Sequence, residues 1–185
     1  MDNQWHISTI LFLIPILVLS GCRVEIDDGI YRFEYDENKH CESRNHIQQV
    51  MLERINNARA RQRRCGVQTV YPAPPIIWNP QLFSAARIHV NDMANYDFMA
   101  FMGSDGSFVE ERVNRTGYLW VHLGENIGTN YQSPDSMIDS WLNNPNDCIN
   151  IMNPHFSEIG AACAHRNESQ SQYAIYWTLV LATHR

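Results

Sequence analysis

Lysine is nearly absent from this chain of 185 residues: thirteen of its fourteen basic residues are arginine, set against twenty acidic ones. The formal net charge of −6 argues against nucleic acid or an anionic lipid surface as the main partner. The sequence has no long membrane-spanning run. Its apolar stretch Ile10–Leu19 is interrupted by Pro15 and would cover about 15 Å as a helix, half of a bilayer core. There is no C-x-x-C pair of the kind that frames a zinc site, and no D-x-D-x-D-G loop for calcium. There is no G-x-S-x-G elbow either, which removes the commonest serine-hydrolase signature.

What the chain does have begins at its first cysteine. Leu19-Ser20-Gly21-Cys22 follows the apolar stretch directly, and a small-small-Cys site after an h-region reads as a bacterial lipoprotein signal. Residues 1–21 are therefore expected to be a removed signal, with Cys22 lipidated and the membrane as its partner through that lipid. The segment Met1–Thr9 carries no Lys or Arg, a departure from the usual positive n-region. Arg23 follows the cysteine where an inner-membrane protein would carry Asp, so the expected location is the outer membrane, facing the periplasm or the outside.

Without residues 1–21 the chain has 164 residues, 14 basic and 19 acidic, for a net charge of −5. That length suits one domain, expected as a monomer. Residues 22–42 are charged and aromatic without clear periodicity and read as a tether, leaving 43–185 as the domain. Four further cysteines, Cys41, Cys65, Cys148 and Cys163, imply two disulfides in an oxidising compartment. Three pairings are open on spacing alone. Arg59, Arg61, Arg63 and Arg64 read as a solvated helix end that complements the helix dipole.

Helical spacing of Ile47, Val50, Met51, Ile55 and Ala58 predicts a helix over 43–64, with Gly66 as its stop. Tyr71-Pro-Ala-Pro-Pro75 is a loop. Asn79-Pro80 caps a second helix through Tyr96, with Leu82, Ala86, His89, Val90 and Met93 inward. A turn at Gly103–Gly106 precedes a short helix capped by Ser107 and ending before Gly117, and Ser133-Pro134 opens another carrying Met137, Ile138 and Trp141. Strands are expected at Trp120–Ile127, Ile159–Ala164 and Tyr173–Leu181. With no regular βαβ alternation, the class is α+β with a small antiparallel sheet.

Eight fragments in order, Ile55-Asn-Asn-Ala-Arg59, Trp78-Asn-Pro-Gln-Leu82, Gly103-Ser-Asp-Gly106, Gly117-Tyr118, Gly124-Glu-Asn-Ile127, Trp141-Leu-Asn-Asn-Pro145, Asn150-Ile-Met-Asn-Pro154 and Glu158-Ile-Gly160, make the chain resemble the CAP superfamily. This is the secreted domain of cysteine-rich secretory proteins, insect antigen 5 and plant pathogenesis-related proteins, and the likeness is to its bacterial branch. The resemblance implies a three-layer αβα sandwich with an open cavity. It also implies that two histidines and acidic residues of that cavity can hold a divalent cation, commonly taken to be zinc. Phe101 and Asp147 stand where the histidines would be, Glu125 matches the cavity glutamate, Asn144 aligns with a second acidic position, and Glu158 matches a glutamate of bacterial members. Carried over from the family, the disulfides would be Cys65–Cys148 and Cys41–Cys163.

Replacing one imidazole with phenyl and the other with carboxylate removes the donors zinc favours. The expectation is a cavity with no cofactor, or with weak divalent-cation binding only. Cys148 reads as a disulfide partner and not as a thiolate nucleophile. His122 and Glu125, three apart in a strand, should face opposite ways. Glu125 divides evenly between a cavity role and a structural one, pinning the turn at Gly124, and Phe101 and Met102 read as core packing. The favoured function is a binding or structural module for an envelope or cell-wall component or a small apolar ligand, leaning away from an enzyme. The alternative is a divergent hydrolase of cell-wall peptide or glycan using Glu125 and Asp147 as acid and base.

Overall fold

A computed structural model describes residues 22–27, 30–35, 41, 43–166 and 171–185; the expected signal at 1–21 lies outside them. The chain divides into two units, Met1–Glu37 and Asn38–Arg185. In the first, strands β1 (Cys22–Asp27) and β2 (Ile30–Tyr35) pair antiparallel, Cys22 opposite Tyr35 and Asp27 opposite Ile30. Part of the expected tether is thus a strand pair. Its β-branched and aromatic residues Val24, Ile26, Ile30, Tyr31 and Phe33 favour extended backbone.

The second unit is built on a four-stranded sheet in the order β5-β7-β8-β6. These strands are β5 (Ile77–Trp78), β6 (Trp120–Thr129), β7 (Glu158–His165) and β8 (Ile175–His184). β8 pairs antiparallel with both neighbours, whereas β5 runs parallel to β7 over two residues, so the sheet is mixed and not purely antiparallel. Side chains alternate along β8 and sort the core into two layers. Ile175, Trp177, Leu179 and Leu181 pack with Ile47, Met51 and Ile55 of α1 (Arg44–Arg59), Met137, Ile138 and Trp141 of α4 (Pro134–Asn143), and Ile151 of α5 (Pro145–Ile151). Tyr176, Val180 and Ala182 pack with Leu82, Ala86, Val90 and Met93 of α2 (Pro80–Tyr96) and Val113 of α3 (Val109–Arg115). This is a three-layer αβα sandwich. Among the described residues no helix is long and apolar enough to cross a membrane.

Several starts follow one local rule. Asn79, Ser133 and Asn144 each cap the helix that begins at the next residue, a proline, because proline loses nothing at a position whose N–H has no helical partner. The helix at Pro145 carries the same signal, although it is not among the helices expected above. Ser107 does not cap α3. The cap is Phe108, whose N–H donates to Glu111.

α1 stops at Arg59, five residues short of the expected end, because Arg63–Cys65 (β3) turns back through Gly66 at φ +62° to pair with Gln68–Val70 (β4). Arg59 is not a solvated end. It is fully buried and donates to the carbonyls of Pro74, Ile151, Asn153 and Phe156. Disulfides join Cys65 to Cys148 and Cys41 to Cys163.

Candidate functional site

The segment Gly124-Glu-Asn-Ile127 lies on β6, an edge strand, and its four residues do four different things. Gly124 is small because a Cβ there would come within 2.7 Å of Asn150 and 2.8 Å of Phe156. Asn126 points the same way, accepting from Asn150 Nδ2 at 2.8 Å and donating to the Asp147 carbonyl at 3.2 Å. Glu125 points to the opposite face, toward α3, where Arg112 Nη2 donates to its two carboxylate oxygens at 3.0 and 2.8 Å. Ile127 enters the α2 side of the core.

Arg112 and Glu125 are 1% and 3% exposed. Burial pushes the Glu125 carboxyl up to about 7, with Arg112 pulling the other way. The same guanidinium donates to the carbonyls of Ser107 at 2.6 Å and Phe101 at 3.1 Å. Sequence reasoning missed Arg112. Its signal was an arginine on a short helix beside a turn, which has no meaning until that helix is laid across β6.

Arg112 holds the 101–107 backbone inward through two main-chain carbonyls, with the side chains of Phe101 and Met102 left outside. Phe101 and Met102 are each 51% exposed, so they do not pack in the core as their apolar character suggests.

The remaining predicted residues are dispersed. Asn144 is exposed and its side chain caps α5, accepting from the backbone of Asn146 and Asp147. Asp147 is half-buried, and desolvation raises its carboxyl to about 6. It sits on the helix that packs against the Asn126 side of the sheet, the face away from the Glu125 side chain. Glu158 Oε2 accepts from Asn79 Nδ2 at 2.8 Å and Tyr118 Oη at 2.7 Å, at the start of α2. These carboxylates share no hydrogen-bond partner among the described residues.

His122 faces the α5 side, its ring tilted against His155 at 4.8 Å between centroids, so it and Glu125 do face opposite ways. His89 is fully buried, with Nε2 at 2.9 Å from the Ala100 carbonyl, and burial lowers it to about 4.

The donor set does not fit a divalent cation of the kind the family's cavity can hold. A fixed guanidinium lies 2.8 Å from the Glu125 carboxylate and opposes a second positive charge. The Phe101 position offers a phenyl ring to solvent. Among the described residues no three His, Cys, Asp or Glu side chains converge.

An αβα sandwich with a mixed sheet and its Gly-Glu-Asn-Ile segment on the edge strand defines the class: a CAP-type secreted domain. The model of the cysteine-rich secretory protein family matches residues 52–181, and the chain belongs to that family. The uncharacterized protein YkwD of Bacillus subtilis is 24% identical over 86 residues, covering 46% of this chain and 34% of YkwD.

Two solved structures share the fold. An extracellular protein with an SCP domain from Bacillus anthracis aligns with TM-score 0.63 and 18% identity over 83% of this chain and 45% of its own. An outer surface protein of Borrelia burgdorferi aligns with TM-score 0.63 and 10% identity over 77% and 96%. The chain thus spans about a third of YkwD and under half of the Bacillus anthracis protein. Two disulfides fit an extracytoplasmic location.

Proposed function

We propose that this chain is an extracytoplasmic CAP domain, held to the outer membrane by lipid on Cys22, that acts as a binding or structural module for an envelope component and needs no bound metal. One observation carries the reading: the carboxylate at the cavity glutamate position is already bound, by Arg112, inside the protein. A general base must reach the proton it removes, and Glu125 at 3% exposure is occupied with holding the 101–107 turn. The structural side of its divided reading is thereby favoured.

The hydrolase alternative needs two carboxylates converging on one bond. Glu125 and Asp147 belong to opposite faces of the sheet, which weighs against it. The extracellular and outer surface descriptions of the Bacillus anthracis and Borrelia burgdorferi proteins support the location. The lipid reading rests on Leu19-Ser-Gly-Cys22.

The test is release of soluble fragments from purified cell wall by the wild type and by Glu125→Gln. Neither protein is expected to release any. Turnover by the wild type that Glu125→Gln abolishes would overturn the reading. Labelled palmitate should enter the wild type and not Cys22→Ser, and equal labelling of both would remove the anchor.

A further inference from the structure

Beside the Arg112–Glu125 pair, on the outer side of α2, lies a cleft that counts Arg112 among its lining residues. With Ile88, Asn91, Asp92, Asn95 and Tyr96, and with Ser104, Asp105 and Ser107 of the Gly103–Ser107 turn, Arg112 lines a space of about 270 Å³. The α2 contribution follows from helix geometry: positions 88, 91, 92, 95 and 96 form one stripe along the outer face.

Three observations define what the cleft takes. Asn91 and Asn95, exposed on α2, line it with side-chain amides, each able to donate and to accept a hydrogen bond. Asp92 accepts from the Ser104 N–H at 2.7 Å and the Ser104 hydroxyl at 2.5 Å but has no cationic partner among the described residues. The other two charges are matched, Arg112 by Glu125 and Asp105 by Arg115, which leaves the cleft negative. Tyr96 is 67% exposed, an aromatic face at the end of the stripe.

A ligand that exchanges hydrogen bonds with amides, donates to a carboxylate and lays an apolar face on a phenol ring has the chemistry of a polyhydroxylated ring. A negative cleft disfavours sulfated, phosphorylated or uronic sugars, and a buried guanidinium disfavours a metal ion. We propose that the cleft between α2 and the Gly103–Ser107 turn binds one ring of a neutral oligosaccharide, with Tyr96 as stacking face and Asp92 and the Asn91 and Asn95 amides on its hydroxyls. The inference rests on the binding-module reading above and supplies its ligand class.

The full chain, solubilised in detergent and displayed on a streptavidin tetramer, would be screened over an array of neutral and acidic glycans. Retention on neutral glycans is expected, weakened about tenfold in Tyr96→Ala and in Asp92→Asn, and unchanged in Tyr71→Ala, whose exposed ring lines a different groove. Circular dichroism confirms that each variant is folded, and Tyr96, being mostly exposed, should not affect folding. No retention on any neutral glycan, retention on acidic glycans alone, or retention indifferent to Tyr96→Ala and Asp92→Asn would each overturn the proposal. Those failures leave the cell-wall release assay silent, so loss of the saccharide site and loss of the binding-module reading are separable outcomes.

Discussion

Among the described residues each face of the sheet buries one arginine, and the two are held by different means. On the α1, α4 and α5 face, Arg59 is held by four main-chain carbonyls, with no carboxylate among the described residues. Burial lowers it to about 10, still far above neutral pH, so its charge persists. That face also carries both disulfides, with Cys41 and Cys163 packed on its core and Cys65 bridged to Cys148 of α5.

On the α2 and α3 face, Arg112 is held by Glu125 and two carbonyls, beside a buried neutral His89, with no covalent link. The disulfides and the Arg59 contacts of the first face are untouched by pH, although Asp147 on α5, raised to about 6, titrates there. The second depends on protonation states, and it is the face that presents the cleft and the exposed Phe101 and Met102.

The largest test of this contrast removes the covalent staple. Cys65→Ala with Cys148→Ala opens a bridge between residues 83 apart and should cost about 4–5 kcal/mol of unfolding free energy in urea. A loss below about 1 kcal/mol would mean the α5 face does not need its staple. Next, Arg59→Leu leaves four carbonyls unsatisfied in the core and should cost about 4 kcal/mol. Nearly unchanged urea midpoints would show those carbonyls finding other donors.

Somewhat smaller is the effect of splitting the ion pair. Arg112→Met alone should lose about 3 kcal/mol by stranding a buried carboxylate, and adding Glu125→Gln should recover a large part of it. Additive losses in the two singles and the double would contradict a coupled pair.

The smallest effect is the pH response. His89 is neutral in the fold with its value lowered to about 4, while the unfolded chain binds a proton near 6.5. Its stabilising contribution is present above pH 6.5 and is lost as pH falls toward about 4, an effect of about 2 kcal/mol. Glu125 and Asp147 are raised to about 7 and about 6 and act with the opposite sign, destabilising as pH rises from the ordinary carboxylate range through those values. The His89 share is therefore read as the difference between wild type and His89→Gln across pH 7 to 4. Parallel pH curves for the two proteins would rule it out.

Much of the scaffold was legible from local chemistry. The cap-proline pairs at Asn79 and Ser133 set two helix starts to the residue, and alternation along β6 placed His122 and Glu125 on opposite faces. The site was harder. Phe101 and Met102 look like core by type and lie in solvent, because the main chain beneath them satisfies Arg112. Arg59 looks like surface by type and lies in the core, because the carbonyls of Pro74, Ile151, Asn153 and Phe156 meet only after α5 and the loop following it fold over α1.

By itself the sequence determined the order of the main helices and long strands, the apolar faces they bury, the family and the four cysteines available for bridging, since these follow from periodicity, capping and motif spacing. Only the tertiary structure decided what the buried charges are for. An arginine's role depends on which distant acceptors surround it once water is gone. Three of the four carbonyls that hold Arg59 lie 92, 94 and 97 positions from it in the chain, and no local pattern marks that meeting. The same holds for Arg112, thirteen residues from Glu125, whose pairing shows only once α3 is laid across β6.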